Sequence, residues 1–371
     1  MINENVKRFG ACITKLINKE DLLREEAKEM FYQVLLNEQP EIQQGAFLAA
    51  LTAKGETAEE IAGSWEAIYE LDTVKVILDL SCPIVENSGT GMDTVKTFNI
   101  STAASIIAAA AGITMAKHGA RAITSACGTI DILEELGVAV ECSPEIVKRS
   151  IEKAGIGIFN GMSSKIHPRA LGRILSQISF GTTLNIAASL SNPALPRYGV
   201  RGVYAKELVE PVALVMREIG YNRAIVIHGL AEDGIQGMDE ASTLGETIVA
   251  ELHESGEIIK YSFMPEEFGI QRTQKHLLAS YGNREEEALR LIAVLNGQEK
   301  GACSDIVCLN AALILYMMNL SSGIQEGYHQ AKEIIRDGKA IKKLKEWVRE
   351  QNPETEKGIR KLDQLLNKSL N

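Results

Sequence analysis

The chain has 371 residues and a mass of 40.4 kDa, a length that fits one large domain or two unequal ones. Hydrophobic residues make up 45% and charged residues 24%, which excludes disordered and collagen-like classes. The formal net charge of -10 opposes nucleic-acid binding, because affinity for a polyanion depends on clustered Lys and Arg side chains that neutralise phosphates. We therefore do not expect a nucleic-acid partner.

Targeting and membrane segments are not evident in the sequence. The first residues mix Lys, Arg and Glu and lack the apolar stretch of a signal peptide. The longest apolar run, 100–116, is Ala-rich and slightly shorter than a bilayer-spanning helix, so a buried helix explains it better. The six cysteines form no CxxC pair, which favours reduced thiols. We expect a cytoplasmic protein that contacts no membrane.

The first seventy residues carry helical patterns over 21–37, over 40–54 and from Thr57 onward. Thr57 and Glu60 have the spacing of a capping box, in which each side chain accepts a free backbone N–H at the helix start. This stretch shows no strand pattern. It therefore predicts a compact unit of three helices.

From Thr73 the pattern changes to short β-branched runs separated by helical segments. This alternation predicts a largely parallel sheet covered by helices. The predicted strands lie at 74–78, 84–85, 113–115, 139–140, 156–159 and 224–227. The predicted helices lie at 167–179, 206–219 and 285–296, and again from 305 to the C-terminus.

A glycine-bearing turn, Asn-Ser-Gly-Thr-Gly-Met-Asp at 87–93, follows a predicted strand and shortly precedes the Ala-rich helix. Such a turn offers backbone N–H groups and the positive end of a helix dipole, an arrangement that favours a phosphate group. Glycines also serve tight packing, so the turn alone is weak evidence.

Two further motifs follow in order: Lys-His-Gly-Ala-Arg at 117–121 and Gly-Thr-Ile-Asp-Ile-Leu-Glu-Glu-Leu-Gly at 128–137. Together with the glycine turn they resemble the signature of the anthranilate phosphoribosyltransferases. Shorter matching segments extend the resemblance over nearly the whole chain. They include 44–48, 54–57, 167–168, 192–193, 202–204, 228–229, 238–240 and 309–312.

The resemblance implies an α/β protein with two parts. A small helical subdomain over 1–72, joined by helices from about 163–184, would precede a larger α/β domain with a mostly parallel central sheet over 73–371. Phosphoribosyl pyrophosphate would lie in the cleft with two Mg²⁺ ions, and the implied activity is pentosyl transfer to an acceptor. A homodimer through the N-terminal helices is expected, because so small a helical unit cannot bury all its apolar residues internally.

The resemblance also assigns site residues. Catalysis would rest on positioning and electrostatics, so no single catalytic residue is assigned. The implied contacts to phosphoribosyl pyrophosphate are Gly89, Thr90, Gly91, Asp93, Thr97, Asn99, Ser101, Thr102, Lys117 and Ser125. The implied Mg²⁺ ligands are Ser101, Asp239 and Glu240. The implied acceptor pocket holds His118, Gly119, Ala120 and His167. An Asp-Glu pair is more often a solvated surface pair, and a histidine of this kind is often a core residue.

The chain departs from the family pattern mainly at the acceptor pocket. Ala120 replaces an asparagine that in the family contacts anthranilate. The family arginine expected after His167 to meet the acceptor carboxylate is absent, since Arg169 and Arg173 lie too near that histidine. Ala and Ser at 188–189 replace a Gly-Pro pair. The pocket has therefore been rebuilt.

The phosphate loop is also bulkier, because Met92 replaces a glycine and Lys96 replaces a small residue, although Lys96 adds a cation. We expect a phosphoribosyltransferase-like protein whose acceptor is not anthranilate. Three alternatives stay open: a non-catalytic family member that binds nucleotides or nucleic acid, a pentosyl nucleoside phosphorylase, and a genuine anthranilate phosphoribosyltransferase. The phosphorylase alternative is weakened because its Ser-Gly-Arg-Gly stretch is absent at 117–121.

Overall fold

In the computed structural model, residues 4–91, 93–121, 127–178 and 180–369 are described. A bundle of four helices comes first, and a sheet covered by helices follows. This α/β architecture with its small helical unit confirms the predicted fold class.

The strands form one sheet. The first five are parallel in the order β3-β2-β1-β4-β5, and β7 and β8 continue it antiparallel beyond β5, which also pairs with the short β6. The strands are β1 (Ile84–Gly89), β2 (Thr114–Gly119), β3 (Ile156–Asn160), β4 (Tyr198–Gly202), β5 (Arg223–Leu230), β6 (Gly237–Met238), β7 (Thr247–Leu252) and β8 (Ile258–Phe263).

The helices pack on both faces of this sheet and form the N-terminal bundle. They are α1 (Glu4–Ile17), α2 (Arg24–Leu35), α3 (Glu41–Lys54), α4 (Ala58–Asp72), α5 (Ile100–Ala110), α6 (Thr129–Glu135), α7 (Pro144–Ala154), α8 (Leu171–Leu175), α9 (Leu184–Ala187), α10 (Val209–Glu218), α11 (Lys275–Leu278), α12 (Arg284–Leu295), α13 (Ala302–Met317), α14 (Ile324–Arg336), α15 (Lys339–Glu350) and α16 (Thr355–Ser369).

From residue 4 onward, where the structure describes it, the N-terminal unit contains four helices, so the prediction of three was wrong. The missed helix, α1, buries Phe9, Ile13 and Leu16 at helical spacing, and Phe9 packs edge-on against Phe47 of α3. The predicted capping box of α4 is confirmed. Its threonine hydroxyl accepts the Glu60 N–H at 3.2 Å, and the glutamate carboxylate accepts the threonine N–H at 2.8 Å.

Two predicted strands were wrong. The run at 74–78 is extended but joins no ladder, because Val74 N–H bonds to the Ile166 carbonyl and Val76 N–H to the Pro193 carbonyl. The run at 139–140 lies in a turn region between α6 and α7. The predicted helix 167–179 is also shorter in the structure, where α8 ends at Leu175. The Ala-rich run forms the buried helix α5, as predicted, and continues into β2.

The helical unit is fastened to the α/β body by polar contacts as well as apolar packing. Trp65 Nε1 donates to the Leu190 carbonyl at 3.0 Å. The carboxylate of Asp72, the last residue of α4, is fully buried and accepts three backbone N–H groups of residues 169–171 at 2.5 to 3.0 Å. The domain boundary between residues 72 and 73 stays a prediction.

Asp72→Ala should destabilise the fold strongly. The substitution leaves three N–H donors without an acceptor, two of them buried and the third partly buried, and each loss at a buried donor costs about 1–3 kcal/mol without full additivity. We expect the free energy of unfolding, measured in urea, to fall by roughly 3 kcal/mol or more. Glu70→Ala, on the exposed side of the same helix, is the control and should change it by less than about 1 kcal/mol. Equal effects of the two substitutions would contradict a stabilising role for the three hydrogen bonds that Asp72 accepts.

None of the described helices has the length and hydrophobicity needed to cross a membrane. All six cysteines are free thiols. The cytoplasmic location stays a prediction.

Candidate functional site

The candidate site lies where the strand order reverses. The chain runs from β1 outward through β2 to β3, then returns to place β4 on the other side of β1. In open α/β sheets the crevice at such a reversal, outside the carboxyl ends of the strands, is the usual ligand site. The glycine turn leaves the carboxyl end of β1 at this point and leads to the N-terminus of α5.

Close approach of the backbone explains the glycines. A Cβ atom at Gly89 would collide with the Asp239 carboxylate, and one at Gly202 would collide with the Asp239 carbonyl. Gly91 has a φ of +67°, a conformation that favours glycine, and its N–H donates to Asp239 Oδ2 at 2.7 Å. Thr90 N–H donates to the Gly202 carbonyl at 3.0 Å. The turn is therefore built around Asp239. Met92 lies outside the described residues.

Three carboxylates meet beside this turn. Oxygen atoms of Asp93, Asp239 and Glu240 lie within 4.8 Å of one another. Glu240 is buried, and its Oε2 has no hydrogen-bond partner among the described residues. The alternative of a solvated surface pair therefore does not describe Glu240.

The electrostatics of this cluster indicate a missing positive charge. Burial, and then the neighbouring Asp239, raise the pKa of Asp93 to about 6, although Lys96 lies 3.1 Å from its carboxylate. Burial and the two neighbouring carboxylates also raise the pKa of Glu240 well above its usual value. Three clustered carboxylates, of which Asp239 and Glu240 form no ion pair with the described residues, suit a divalent cation such as Mg²⁺. The residues present fit that ion.

Lys117 is a second buried charge, beneath the carboxyl end of β1. Its side chain is almost fully buried, and Nζ donates to the Asn87 carbonyl at 2.5 Å and to Ser105 Oγ at 3.1 Å. Burial lowers its pKa to about 8. The implied phosphate contact would require this amine to leave both oxygen partners.

The other implied phosphate residues border α5. The Asn99 amide donates to the Cys127 carbonyl at 3.4 Å, and Thr97 forms an isolated antiparallel bridge with Ala279. The Ser101 carbonyl accepts two side-chain hydrogen bonds. Thr102 is fully buried, and its hydroxyl has no partner among the residues that the structure describes. Ser125 lies outside the described residues.

The structure brings two implied acceptor residues together. Nε2 of His118 lies 3.2 Å from Nε2 of His167. Nδ1 of His118 lies 3.2 Å from the Ser189 carbonyl, and Nδ1 of His167 lies 2.8 Å from the Asp72 carbonyl. Burial lowers the pKa of both rings, to about 3 for His118. Two neutral rings carry two N–H groups, so one of these three contacts lacks a proton.

The remaining acceptor residues frame this pair. The Gly119 carbonyl accepts the Gly161 N–H at 2.8 Å, and the side chain of Ala120 is exposed. Arg169 is exposed. Arg173 is engaged by the helical unit, where it donates to Gln44 and to the Val34 carbonyl.

Sequence reasoning missed Arg201, which lies on β4 and is 1% exposed. Its Nη atoms donate to Ser88 Oγ at 2.6 Å and to Ser189 Oγ. A signal was present, because this arginine directly precedes the matched Gly-Val-Tyr segment at 202–204. The two glycines and the arginine of β4 weakened the strand pattern there.

Comparison with known proteins identifies the family. The a/b domain of the glycosyl transferase family matches residues 81–341, and the helical bundle domain of the same family matches residues 11–71. The chain belongs to this glycosyl transferase family. The expected enzyme class is confirmed at this level, because the curated relatives are anthranilate phosphoribosyltransferases, which are pentosyltransferases.

Among those relatives, the anthranilate phosphoribosyltransferase of Methanococcoides burtonii is 39% identical over 339 residues, covering 91% of this chain and 92% of its own length. That of Acetivibrio thermocellus is 38% identical, covering 91% of this chain and 95% of its own length.

Solved structures of the glycosyl transferase family agree with the fold. Anthranilate phosphoribosyltransferase from Thermus thermophilus superposes with a TM-score of 0.82 at 33% identity, covering 91% of this chain and 98% of its own. The Saccharomyces cerevisiae enzyme, solved in complex with PRPP (phosphoribosyl pyrophosphate) and Mg, superposes with a TM-score of 0.80, covering 93% of this chain and 98% of its own. At 23% identity, this second likeness shows the fold alone.

Proposed function

We propose that this chain transfers a phosphoribosyl group from phosphoribosyl pyrophosphate to an acceptor other than anthranilate, with Mg²⁺ held by Asp93, Asp239 and Glu240. The observation that carries the proposal is the three-carboxylate cluster packed against the glycine turn at the reversal of strand order. The 39% identical relative that is an anthranilate phosphoribosyltransferase supports the donor half of the reaction.

In this reaction the bond between ribose C1 and the pyrophosphate oxygen breaks, and pyrophosphate leaves with the electron pair. The acceptor lone pair forms the new bond to C1, and the acceptor loses a proton. Bound Mg²⁺ would neutralise charge on the pyrophosphate. The chain itself would position the donor between the glycine turn and the N-terminus of α5. The proposed phosphate contacts are Gly89, Thr90, Gly91, Asp93, Thr97, Asn99, Ser101, Thr102, Lys117 and Ser125.

Donor binding and cation binding would be coupled through one hydrogen bond. The Gly91 N–H is engaged by Asp239 Oδ2, so in this conformation it offers no donor to a phosphate oxygen. If the Asp239 carboxylate held a cation instead, the Gly91 N–H would become available to the phosphate. The cation and the phosphate would therefore favour the same rearrangement.

The acceptor part of the proposal rests on the rebuilt pocket. Ala120 offers no amide to an acceptor carboxylate. Arg169 is exposed and Arg173 is engaged by the helical unit, so neither supplies the arginine that the family pattern expects. The second candidate is anthranilate phosphoribosyltransferase itself, which the names of the relatives favour.

The carboxylate cluster predicts a pH-dependent effect of Mg²⁺. Because the folded-state pKa values of Asp93 and Glu240 are raised, the folded chain holds protons that the unfolded chain releases. The stability of the cation-free protein therefore falls as pH rises from about 4 to above about 6. Bound Mg²⁺ offsets this fall. We expect Mg²⁺ to raise the melting temperature clearly at about pH 7.5 and little at about pH 5. An equal shift at both values would contradict the prediction, and Glu240→Gln should reduce the difference.

We also propose a homodimer formed through the N-terminal helices. Ile17, Leu23 and Ile42, all of the helical unit, are 65%, 71% and 83% exposed, an unusual concentration of exposed large apolar side chains. Light scattering should give twice the chain mass of 40.4 kDa. Ile42→Glu should shift the particle toward the monomer, whereas Ile235→Glu, at an equally exposed position in the α/β body, should not. A monomeric wild-type chain at micromolar concentration would refute the dimer.

A further inference from the structure

Arg201 is a buried cation at the reversal of strand order, and it has no part in the phosphoribosyl transfer as proposed. It pairs in register with Ser88, the residue directly before Gly89 of the glycine turn. It therefore lies at the carboxyl ends of β1 and β4, where sheets of this kind bind their ligands.

The guanidinium has neutral partners. Its Nη atoms donate to the hydroxyls of Ser88 and Ser189, and its Nε is buried without a hydrogen-bond partner in the described part of the chain. Among the described residues no ion pair joins it to a carboxylate. The carboxylate that acts on it most strongly is Glu86, which does so through space and not through a hydrogen bond.

Glu86 is occupied elsewhere. Its carboxylate accepts from the Asn192 amide at 3.2 Å and from the Tyr221 hydroxyl at 3.1 Å. A guanidinium matches an oxyanion with two parallel N–H donors, a geometry that neither serine hydroxyl uses. Burying such a charge without a directly bonded counter-ion is unfavourable. The arrangement becomes favourable once an anionic group lies against the guanidinium.

This cation lies where the phosphate side of the cleft meets the histidine pair. Ser189, one of its two partners, presents its carbonyl to His118, so Arg201 lies between the glycine turn and the histidine pair. Both covering serines are partly exposed. An anion that displaced either hydroxyl would gain a guanidinium N–H group.

We infer that Arg201 binds an oxyanion group of the acceptor, so that the acceptor is an anion whose charge lies against β4. The assignment of this oxyanion to an acceptor rests on the proposed function. It agrees with the loss of the arginine expected after His167, because the acceptor charge would then lie elsewhere in the pocket. An acceptor of this kind differs in shape from anthranilate while remaining anionic.

The test compares matched carboxylates and carboxamides that cannot be ribosylated readily. Acetate with acetamide, and benzoate with benzamide, are titrated calorimetrically into the full chain saturated with phosphoribosyl pyrophosphate and Mg²⁺, so that the phosphate site is filled. We expect at least one carboxylate to bind about tenfold or more tightly than its amide. Arg201→Met should abolish this preference, and Arg169→Met, at an exposed arginine, should leave it unchanged. No preference in the wild type, or an undiminished preference in Arg201→Met, would overturn the inference, as would its loss in Arg169→Met.

A second variant keeps the test decisive if Arg201→Met does not fold. Arg201→Gln removes the charge but keeps a polar side chain, and it should also lose the preference. Binding of phosphoribosyl pyrophosphate with Mg²⁺ is measured separately. Donor binding without any carboxylate preference would refute the role of Arg201 and leave the proposed function in place. If the donor does not bind, the proposed function fails, and the same titration without donor still decides whether Arg201 holds an oxyanion.

Discussion

Asp239→Ala and Glu240→Ala should each abolish Mg²⁺-dependent binding of phosphoribosyl pyrophosphate. Each change removes one of the carboxylates that would hold the cation, and the pyrophosphate then meets the remaining acidic groups without a neutralising charge. We expect the affinity in the presence of Mg²⁺ to fall by about two orders of magnitude or more, as estimated from about 3 kcal/mol for a lost charged contact. Isothermal titration of the donor with and without Mg²⁺ measures this directly.

The two positions should differ in stability. Glu240→Ala removes a buried carboxylate with an unpartnered oxygen, so the free energy of unfolding should stay within about 1 kcal/mol of wild type. Asp239 also accepts the Gly91 N–H, and Asp239→Asn is the variant that keeps this contact while losing the charge. Glu257→Ala, at an exposed position between β7 and β8, is the control for donor binding. Wild-type donor affinity in both alanine variants would show that these carboxylates hold no cation.

Anthranilate should be a poor acceptor for this chain. The missing family arginine would cost about 1.5–3 kcal/mol and the asparagine replaced by Ala120 about 0.5–1.5 kcal/mol. With imperfect additivity, turnover should lie about two orders of magnitude below that of an ordinary anthranilate phosphoribosyltransferase. The loss of anthranilate fluorescence with phosphoribosyl pyrophosphate and Mg²⁺ is the assay, supported by complementation of a tryptophan auxotroph.

A gain-of-function variant makes the acceptor experiment sharper. Ala120→Asn should raise anthranilate turnover, because it returns an amide to the pocket, whereas Arg169→Met should have no effect. If the wild type already turns over anthranilate within about tenfold of an ordinary family member, the acceptor proposal is refuted. Loss of that turnover in Arg201→Met would then show that this arginine has taken over the carboxylate.

The parts of the fold that the sequence predicted correctly depend on local patterns. The capping box of α4 and the glycine turn after β1 are set by residues within a few positions of one another. The strand prediction at 74–78 was wrong because β-branched residues there bond to two separate loops and not to a neighbouring strand. Helix α1 was missed because its three buried apolar residues are spread among charged ones.

The site required contacts between distant positions, which local patterns do not contain. Asp93 and Asp239 meet only through the fold, and the resemblance to a known family placed both residues at one site. Arg201 belonged to no matched motif, so the resemblance was silent about it. Its burial and its two serine partners became visible only once β1 and β4 were paired.

The contacts around the histidine pair form a continuous path across the cleft. Asp72, at the end of α4, meets His167, which meets His118, which meets Ser189, the partner of Arg201. A movement of the helical unit relative to the sheet would have to carry these contacts along or break them. Such a movement would therefore change the surroundings of the Arg201 guanidinium on β4. An acceptor bound there would in turn oppose the movement. The helical unit and the sheet would then respond together to a bound acceptor.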